Sequence, residues 1–142
     1  MKSTAVFFDT EFTNFENPEL VSIGAVSVDG KHEFYAEVSP LPDGCSDFVI
    51  QHIVPQLTGP AYPKEEVARR FLEWLAGLGN AIELCSDSGF DRNIINALCG
   101  YPLPIPNGAT STWYPLPGTV TDNPHHALQD ARMLREAFHS YF

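Results

Sequence analysis

The chain has 142 residues, which is short enough for one domain, and we expect a single domain spanning residues 1–142. Its hydrophobic content of 44% and charged content of 18% are typical of a globular protein and exclude a disordered or fibrous one. Eight Lys and Arg residues against 18 Asp and Glu residues give a formal net charge of −10, which argues against broad non-specific binding to long nucleic-acid duplexes.

The distribution of apolar residues and cysteines also predicts the cellular compartment of the protein. No stretch approaches the roughly 18–20 apolar residues of a membrane-spanning helix, and the N-terminus lacks the layout of a secretory signal. We therefore expect a cytoplasmic protein that makes no membrane contact. Cys45, Cys85 and Cys99 are widely spaced and form no CxxC pair, which predicts reduced thiols and neither a zinc ribbon nor a disulfide framework.

The N-terminal third predicts three neighbouring strands. Thr4–Asp9 is an apolar run, Leu20–Val28 is rich in Val and Ile, and His32–Val38 alternates imperfectly. The pair Asp29-Gly30 between the last two strands is typical of a tight hairpin turn. These features predict an antiparallel meander.

Proline-rich segments interrupt the rest of the chain. Residues 39–63 contain five of the twelve prolines, which predicts a loop with at most one short helix around Ser46–Ile53. Residues 101–117 are again rich in proline and glycine, and we expect a loop there as well.

The remaining segments predict helices and one strand. Apolar residues at helical spacing predict amphipathic helices, and a short apolar run predicts a strand. The predicted elements are a helix over 64–77, a strand over Ala81–Cys85, a helix over Phe90–Leu98 and a helix from about His126 to Ser140. Three antiparallel strands followed by αβα units predict an α/β fold, with a mixed sheet flanked by helices.

A first pair of acids follows the first predicted strand. Asp9 and Glu11 are two residues apart, so they lie on the same face of an extended chain. Two like charges near a core are costly unless cations neutralise them or one acid is protonated. The alternative is that both acids simply end the strand in solvent.

A second pair of acids lies at a strand-to-helix junction. Asp87 is suited to cap the following helix, and a carboxylate at Asp91, in its first turn, suits the helix dipole. Capping would account for both residues. The alternative is that they join the first pair in binding cations.

The third cluster combines two histidines with an acid. His126 and Asp130 are four residues apart and share a helix face, whereas His125 is expected in the loop or first turn. Either histidine is a candidate for acid–base chemistry. Three acidic clusters that fall at the ends of elements provide oxygen ligands, which suit Mg²⁺ or Mn²⁺ and not zinc.

The motifs FFDTEFT, LVSIGAV, SDSGFDRNII and HHALQDARML occur in an order that resembles the DEDDh 3′–5′ exonucleases. This family belongs to the RNase H-like superfamily and includes oligoribonucleases, RNase T and proofreading exonucleases. The chain looks nearest to the compact bacterial or phage exoribonucleases. The resemblance implies an RNase H-like fold.

The resemblance also implies roles for individual residues. Four acids would be catalytic and would hold two Mg²⁺ or Mn²⁺ ions, and the family spacing selects His125 over His126 as the general base. Those acids are Asp9, Glu11, Asp91 and Asp130. Asp87 stands where many relatives carry Asn, so it is a capping or substrate-binding candidate, and the choice between Asp87 and Asp91 as third acid stays open.

The implied activity is removal of nucleoside 5′-monophosphates from single-stranded 3′ ends, with RNA favoured over DNA. A pocket built by Phe12, Thr13 and the 39–63 loop would receive the free end, and Phe12 would stack on the terminal base unless it belongs to the core. Arg132 and Arg135 are candidates to meet phosphates, and the alternative is that Arg135 and Glu136 are ordinary solvated helix charges. Because many relatives are dimers, a homodimer is one implied assembly.

Three other functions stay open. A 3′–5′ DNA exonuclease of the proofreading or repair type would use the same residues. A catalytically inactive module would bind RNA or a protein without cutting. An endonuclease of the RNase H type would use similar metal chemistry, although the D-x-E spacing and the HHALQD motif count against it.

Overall fold

The computed structural model describes residues 3–118 and 124–142 of the chain. Within these two segments, six strands form one mixed sheet in the order β4-β3-β2-β1-β5-β6. The strands are β1 (Thr4–Phe12), β2 (Leu20–Ser27), β3 (Glu33–Val38), β4 (Ala61–Tyr62), β5 (Ala81–Ser86) and β6 (Thr110–Pro115). Strands β1, β2 and β3 are antiparallel neighbours, whereas β5 runs parallel to β1 and β6 runs parallel to β5.

Helices cover both faces of the sheet. They are α1 (Asp47–His52), α2 (Lys64–Ala76), α3 (Gly89–Cys99) and α4 (Ala127–Phe138), with short 3₁₀ turns at Val54–Gln56, Pro106–Gly108 and His139–Tyr141. In the described segments, no helix combines the length and the apolar character needed to cross a bilayer.

The alternation of side chains along β1 separates two apolar cores. Val6 and Phe8 point to one face and pack with the buried residues of α2 and α3. Ala5 and Phe7 point to the other face, where α4 covers them. Because both faces of β1 are buried, its residues are apolar at consecutive positions up to Asp9.

The predicted α/β class is confirmed, as are the antiparallel meander and the three long helices. Three predictions were wrong. β1 continues to Phe12, three residues past its predicted end, the expected 101–117 loop contains β6, and the expected 39–63 loop contains the two-residue strand β4. β6 is last in the strand order and half-exposed, so it tolerates Pro115 at its end and shows little apolar patterning.

Helix α4 lies against the sheet at Gly24, which pairs with Asp9. A Cβ atom added at Gly24 would lie 2.2 Å from the backbone nitrogen of Leu128 and 2.3 Å from its Cα. Only glycine allows this approach, because neither backbone can move without lifting the helix. Gly24 therefore brings the first turn of α4, which carries Asp130, close to Asp9.

We predict that Gly24→Ala lowers the free energy of unfolding by about 1–3 kcal/mol, the usual cost of overpacking. Urea denaturation measures this change. Gly77→Ala is the matched control, because a Cβ at Gly77 would make only ordinary contact, at 3.5 Å from the Trp74 carbonyl oxygen. Equal urea midpoints for the two variants would contradict the close approach.

Candidate metal centre

The first group of acids combines the end of β1 with the start of α4. Asp9 and Glu11 share the face that α4 covers, and Asp130 lies in the first turn of that helix. One carboxylate oxygen from each of these three residues lies within 4.8 Å of the other two. Glu11 and Asp130 are buried and Asp9 is partly buried.

The second group combines Asp9 with two acids from the junction between β5 and α3. Oxygens of Asp9, Asp87 and Asp91 also lie within 4.8 Å of one another. The side chain of buried Asp91 is fixed by β1, because its Oδ1 accepts hydrogen bonds from the Thr10 hydroxyl at 2.6 Å and the Thr10 N–H at 3.2 Å.

The capping interpretation of Asp87 was wrong. Ser88 is the N-cap of α3, and its hydroxyl accepts a hydrogen bond from the Phe90 N–H at 3.2 Å. Serine one position later satisfies the helix end, which leaves the Asp87 carboxylate beside Asp9 and Asp91. Both candidates for the third acid thus lie in the same group.

Three buried carboxylate oxygens of the two groups accept no hydrogen bond from the described residues. They are Oδ2 of Asp91 and both oxygens of Asp130. A buried acceptor without a donor costs roughly 1–3 kcal/mol, and more when it is charged. Bound cations would satisfy these oxygens, and a set of ligands made only of carboxylate oxygens fits Mg²⁺ or Mn²⁺.

The electrostatics of the cluster favour protonation while no cation is bound. Burial, reinforced by Asp130, raises the pKa of Glu11 to about 8. Burial likewise raises the pKa of Asp91 to about 7, against the opposing hydrogen bonds from Thr10, and that of Asp130 to about 6. The pKa of Asp9 is also raised, by burial first and then by the surrounding carboxylates, of which Asp91 acts most strongly.

These raised pKa values predict how stability depends on pH. The folded protein binds more protons than the unfolded chain between the ordinary carboxyl pKa near 4 and the folded values, so its free energy of unfolding falls as pH rises toward about 8. Asp130→Asn removes one of the mutually repelling negative charges. We predict that it raises the melting temperature of the metal-free protein, and that this gain is larger at pH 8 than at pH 5.

Thermal melts of both proteins in EDTA at pH 5 and pH 8 measure the effect. With Mn²⁺ at 100 times its dissociation constant, the unsubstituted protein should gain about 2.7 kcal/mol, and Asp130→Asn should lose most of that gain. A difference between the two metal-free proteins that does not change with pH would contradict the assigned burial of this charge.

The two adjacent histidines have different environments. His126 is the N-cap of α4, where its Nδ1 accepts from the Gln129 N–H at 3.5 Å, and its ring stacks on Tyr35 with centroids 4.7 Å apart. Burial lowers the pKa of His126. Cap and stacking contact together give His126 a structural role.

His125 lies in the loop before the helix, with a φ of 59° in the left-handed region. Its charge lowers the pKa of Asp130, so the ring is within electrostatic reach of the acid cluster. The ring meets Phe48 of α1 edge-on at 4.9 Å, and the Gln56 side chain donates to the Pro124 carbonyl oxygen at 2.9 Å. These contacts hold the His125 loop against α1 and the 3₁₀ turn that follows it, whereas the His126 ring packs on Tyr35.

An aromatic cluster lies next to the acids. The rings of Phe12, Phe15 and Phe90 are mutual neighbours with centroids 5.3–5.5 Å apart. Phe15 is 73% exposed and Phe90 is 38% exposed, while Phe12 also packs against the core. Sequence reasoning identified only Phe12, because the other two rings join it from separate segments and show no common spacing.

Three other residues considered from sequence have structural roles. Thr13 is fully buried, and its hydroxyl accepts a hydrogen bond from the Glu19 N–H at 3.1 Å, so its contact with substrate stays a prediction. Arg132 pairs with Glu33 at 2.6 Å, and Arg135 donates to the Val28 carbonyl oxygen at 2.8 Å. These contacts favour a structural role for both arginines over contact with phosphates.

A scan against protein-family models gives no match for the chain, and a search of curated proteins finds no significant relative.

Proposed function

We propose that the chain is a metal-dependent 3′–5′ exonuclease with an RNase H-like fold, and that it removes nucleoside 5′-monophosphates from single-stranded ends. One observation carries the proposal: two groups of carboxylates overlap at Asp9, which belongs to both. A carboxylate shared between two oxygen-rich groups would let two cations sit close together, as they do in two-metal phosphodiesterases.

The residues divide between two Mg²⁺ or Mn²⁺ ions. Glu11 and Asp130 would hold one ion together with Asp9, whereas Asp87 and Asp91 would hold the other with the same Asp9. Paired ions of this kind polarise the scissile phosphate and lower the pKa of the attacking water. The oxygens of Asp91 and Asp130 that accept no hydrogen bond from the described residues support this assignment, because bound cations would satisfy them.

His125 is the general base in this proposal. It would accept the proton of the attacking water, a general-base role that histidine fills more often than any other side chain. Two observations support this role: His125 acts electrostatically on the pKa of Asp130, and its ring is held against Phe48 in the loop that precedes α4.

The aromatic cluster of Phe12, Phe15 and Phe90 would receive the terminal base. Exposed rings stack on any base, and each stacked base contributes roughly 1–3 kcal/mol, so a strand end is held without sequence preference. This mode of binding suits a chain with a net charge of −10, because it does not depend on many phosphate contacts. RNA is the favoured substrate because the motifs resemble those of exoribonucleases.

Digestion of matched RNA and DNA oligonucleotides, each labelled at the 5′ end, tests the proposal. With Mg²⁺ or Mn²⁺ we expect a ladder that shortens from the 3′ end one nucleotide at a time, faster on RNA, and a circular strand should stay intact. Cutting of the circle would indicate an endonuclease. Binding without any shortening would indicate an inactive module, and either result would contradict the proposal.

A further inference from the structure

A cleft lies between α3 and the strands β5 and β6. It has a volume of about 230 Å³, and its polar and aromatic walls include Arg92, Asn96, Tyr101 and Trp113. Phe8 and Leu84 contribute to its apolar floor. The volume is below the roughly 300–1,000 Å³ of sites for drug-sized ligands, so the cleft suits a single ring system.

The charge of this cleft differs from that of the chain. None of the described residues that line it carries a carboxylate, although the chain has 18 Asp and Glu residues. Arg92 forms no ion pair with a described acid, and its guanidinium lies over the Trp113 ring at 5.2 Å from the centroid. By contrast, the clefts at Lys64 and Arg70 also contain glutamates. This cleft therefore favours an anion.

The aromatic walls of the cleft present rings to a ligand. Tyr101 is 75% exposed, and Trp113 is partly exposed. The Trp113 ring is held in place, because its Nε1–H donates to the Ser86 hydroxyl at 2.9 Å. Exposed aromatic rings beside a guanidinium that pairs with no described acid match the base and the phosphate of a nucleotide.

The cleft and the acid cluster are connected through neighbouring residues of the chain. Ser86 precedes Asp87, and Arg92 follows Asp91 on α3. Successive helical residues are about 100° apart, so Phe90 and Arg92 project to opposite sides of Asp91. A strand with its terminal base at Phe90 and its scissile phosphate at the acids would continue toward Arg92.

We propose that this cleft is a second nucleotide subsite. It stacks a base upstream of the scissile phosphate on Tyr101 and Trp113, and Arg92 binds an upstream phosphate. The upstream direction rests on the proposed function, whereas binding of a single strand to the cleft requires no metal.

Binding of a 5′-labelled single-stranded pentanucleotide, followed by fluorescence anisotropy in EDTA, tests the subsite without cleavage. Tyr101→Ala should weaken binding by roughly 5- to 150-fold through the loss of stacking. Arg92→Gln should reduce the slope of log affinity against log salt by about 0.7, which corresponds to one phosphate contact on a single strand. Tyr141→Ala and Lys31→Gln are matched controls, since they remove an exposed ring and an exposed charge outside the cleft.

The subsite is overturned if the unsubstituted protein does not bind the pentanucleotide, or if both cleft variants bind like their controls. Cleavage assays on the same preparations with Mg²⁺ test the proposed function separately. Cleft-dependent binding by a protein that never cuts would support the subsite while contradicting the exonuclease. Cleavage by a protein whose affinity is unchanged by Arg92→Gln and Tyr101→Ala would support the exonuclease and contradict the subsite.

Discussion

Asp9→Asn should reduce cleavage by roughly 10³-fold or more and should also abolish the stabilisation of the fold by Mn²⁺. Asp9 is the carboxylate common to both acid groups, so the substitution weakens both ion sites at once. Loss of a partner that merely supports a metal ligand already costs about 10–100-fold, and a shared ligand should cost more. Steady-state cleavage and thermal melts with and without Mn²⁺ measure the two effects.

Asp43→Asn is the control for Asp9→Asn, because it removes one exposed carboxylate from the 39–63 loop. It should leave both cleavage and the Mn²⁺ response unchanged. The metal-free Asp9→Asn protein should be at least as stable as the unsubstituted one, since a buried charge among like charges is removed. Full activity in Asp9→Asn would contradict the assignment of this residue.

His125→Ala should lower cleavage by roughly 10²–10⁴-fold, the usual contribution of general acid–base catalysis, and should leave the Mn²⁺ response intact. His126→Ala should act differently. It removes the N-cap of α4 and the stacking contact with Tyr35, so we expect a loss of about 0.5–2 kcal/mol in stability. Cleavage rates and urea denaturation of both variants separate these roles.

The comparison of the two histidine variants is made under conditions where both are fully folded. The contact of the His125 ring with Phe48 is a minor packing term, so that variant should unfold close to the unsubstituted protein. A larger rate loss in His126→Ala than in His125→Ala would contradict the choice of His125.

Local patterns predicted much of the acid cluster. The two-residue spacing correctly placed Asp9 and Glu11 on one face, because β1 stays extended through both residues. The location of Asp87 and Asp91 at a junction was also correct, but the assignment of the cap was not. Serine and aspartate are both good N-caps, so only the fold shows which of two neighbours satisfies the helix end.

The histidine pair shows the limit of helical spacing. The four-residue interval to Asp130 favoured His126, but that residue precedes the helix and caps it. The orientation of His125 depends on contacts with Phe48 and Gln56, which lie about 70 residues earlier in the chain. Contacts across such a distance leave no periodic signal in a single sequence.

The aromatic cluster and β6 could not be predicted from the sequence for the same reason. Phe15 follows β1 in a loop, whereas Phe90 lies on α3, and only the packing of α3 against β1 joins them. β6 lies among prolines and glycines, and its place in the sheet comes from pairing with β5. The sheet therefore determines features that composition alone assigns to loops.

Anomalous scattering from crystals soaked in Mn²⁺ would be the most direct test of the shared carboxylate. We expect two Mn²⁺ peaks, one contacted by Glu11 and Asp130 and the other by Asp87 and Asp91, with an oxygen of Asp9 reaching both. Two results would contradict the shared carboxylate: Mn²⁺ peaks that Asp9 does not contact, or no Mn²⁺ peak at these acids in a crystal soaked in saturating Mn²⁺.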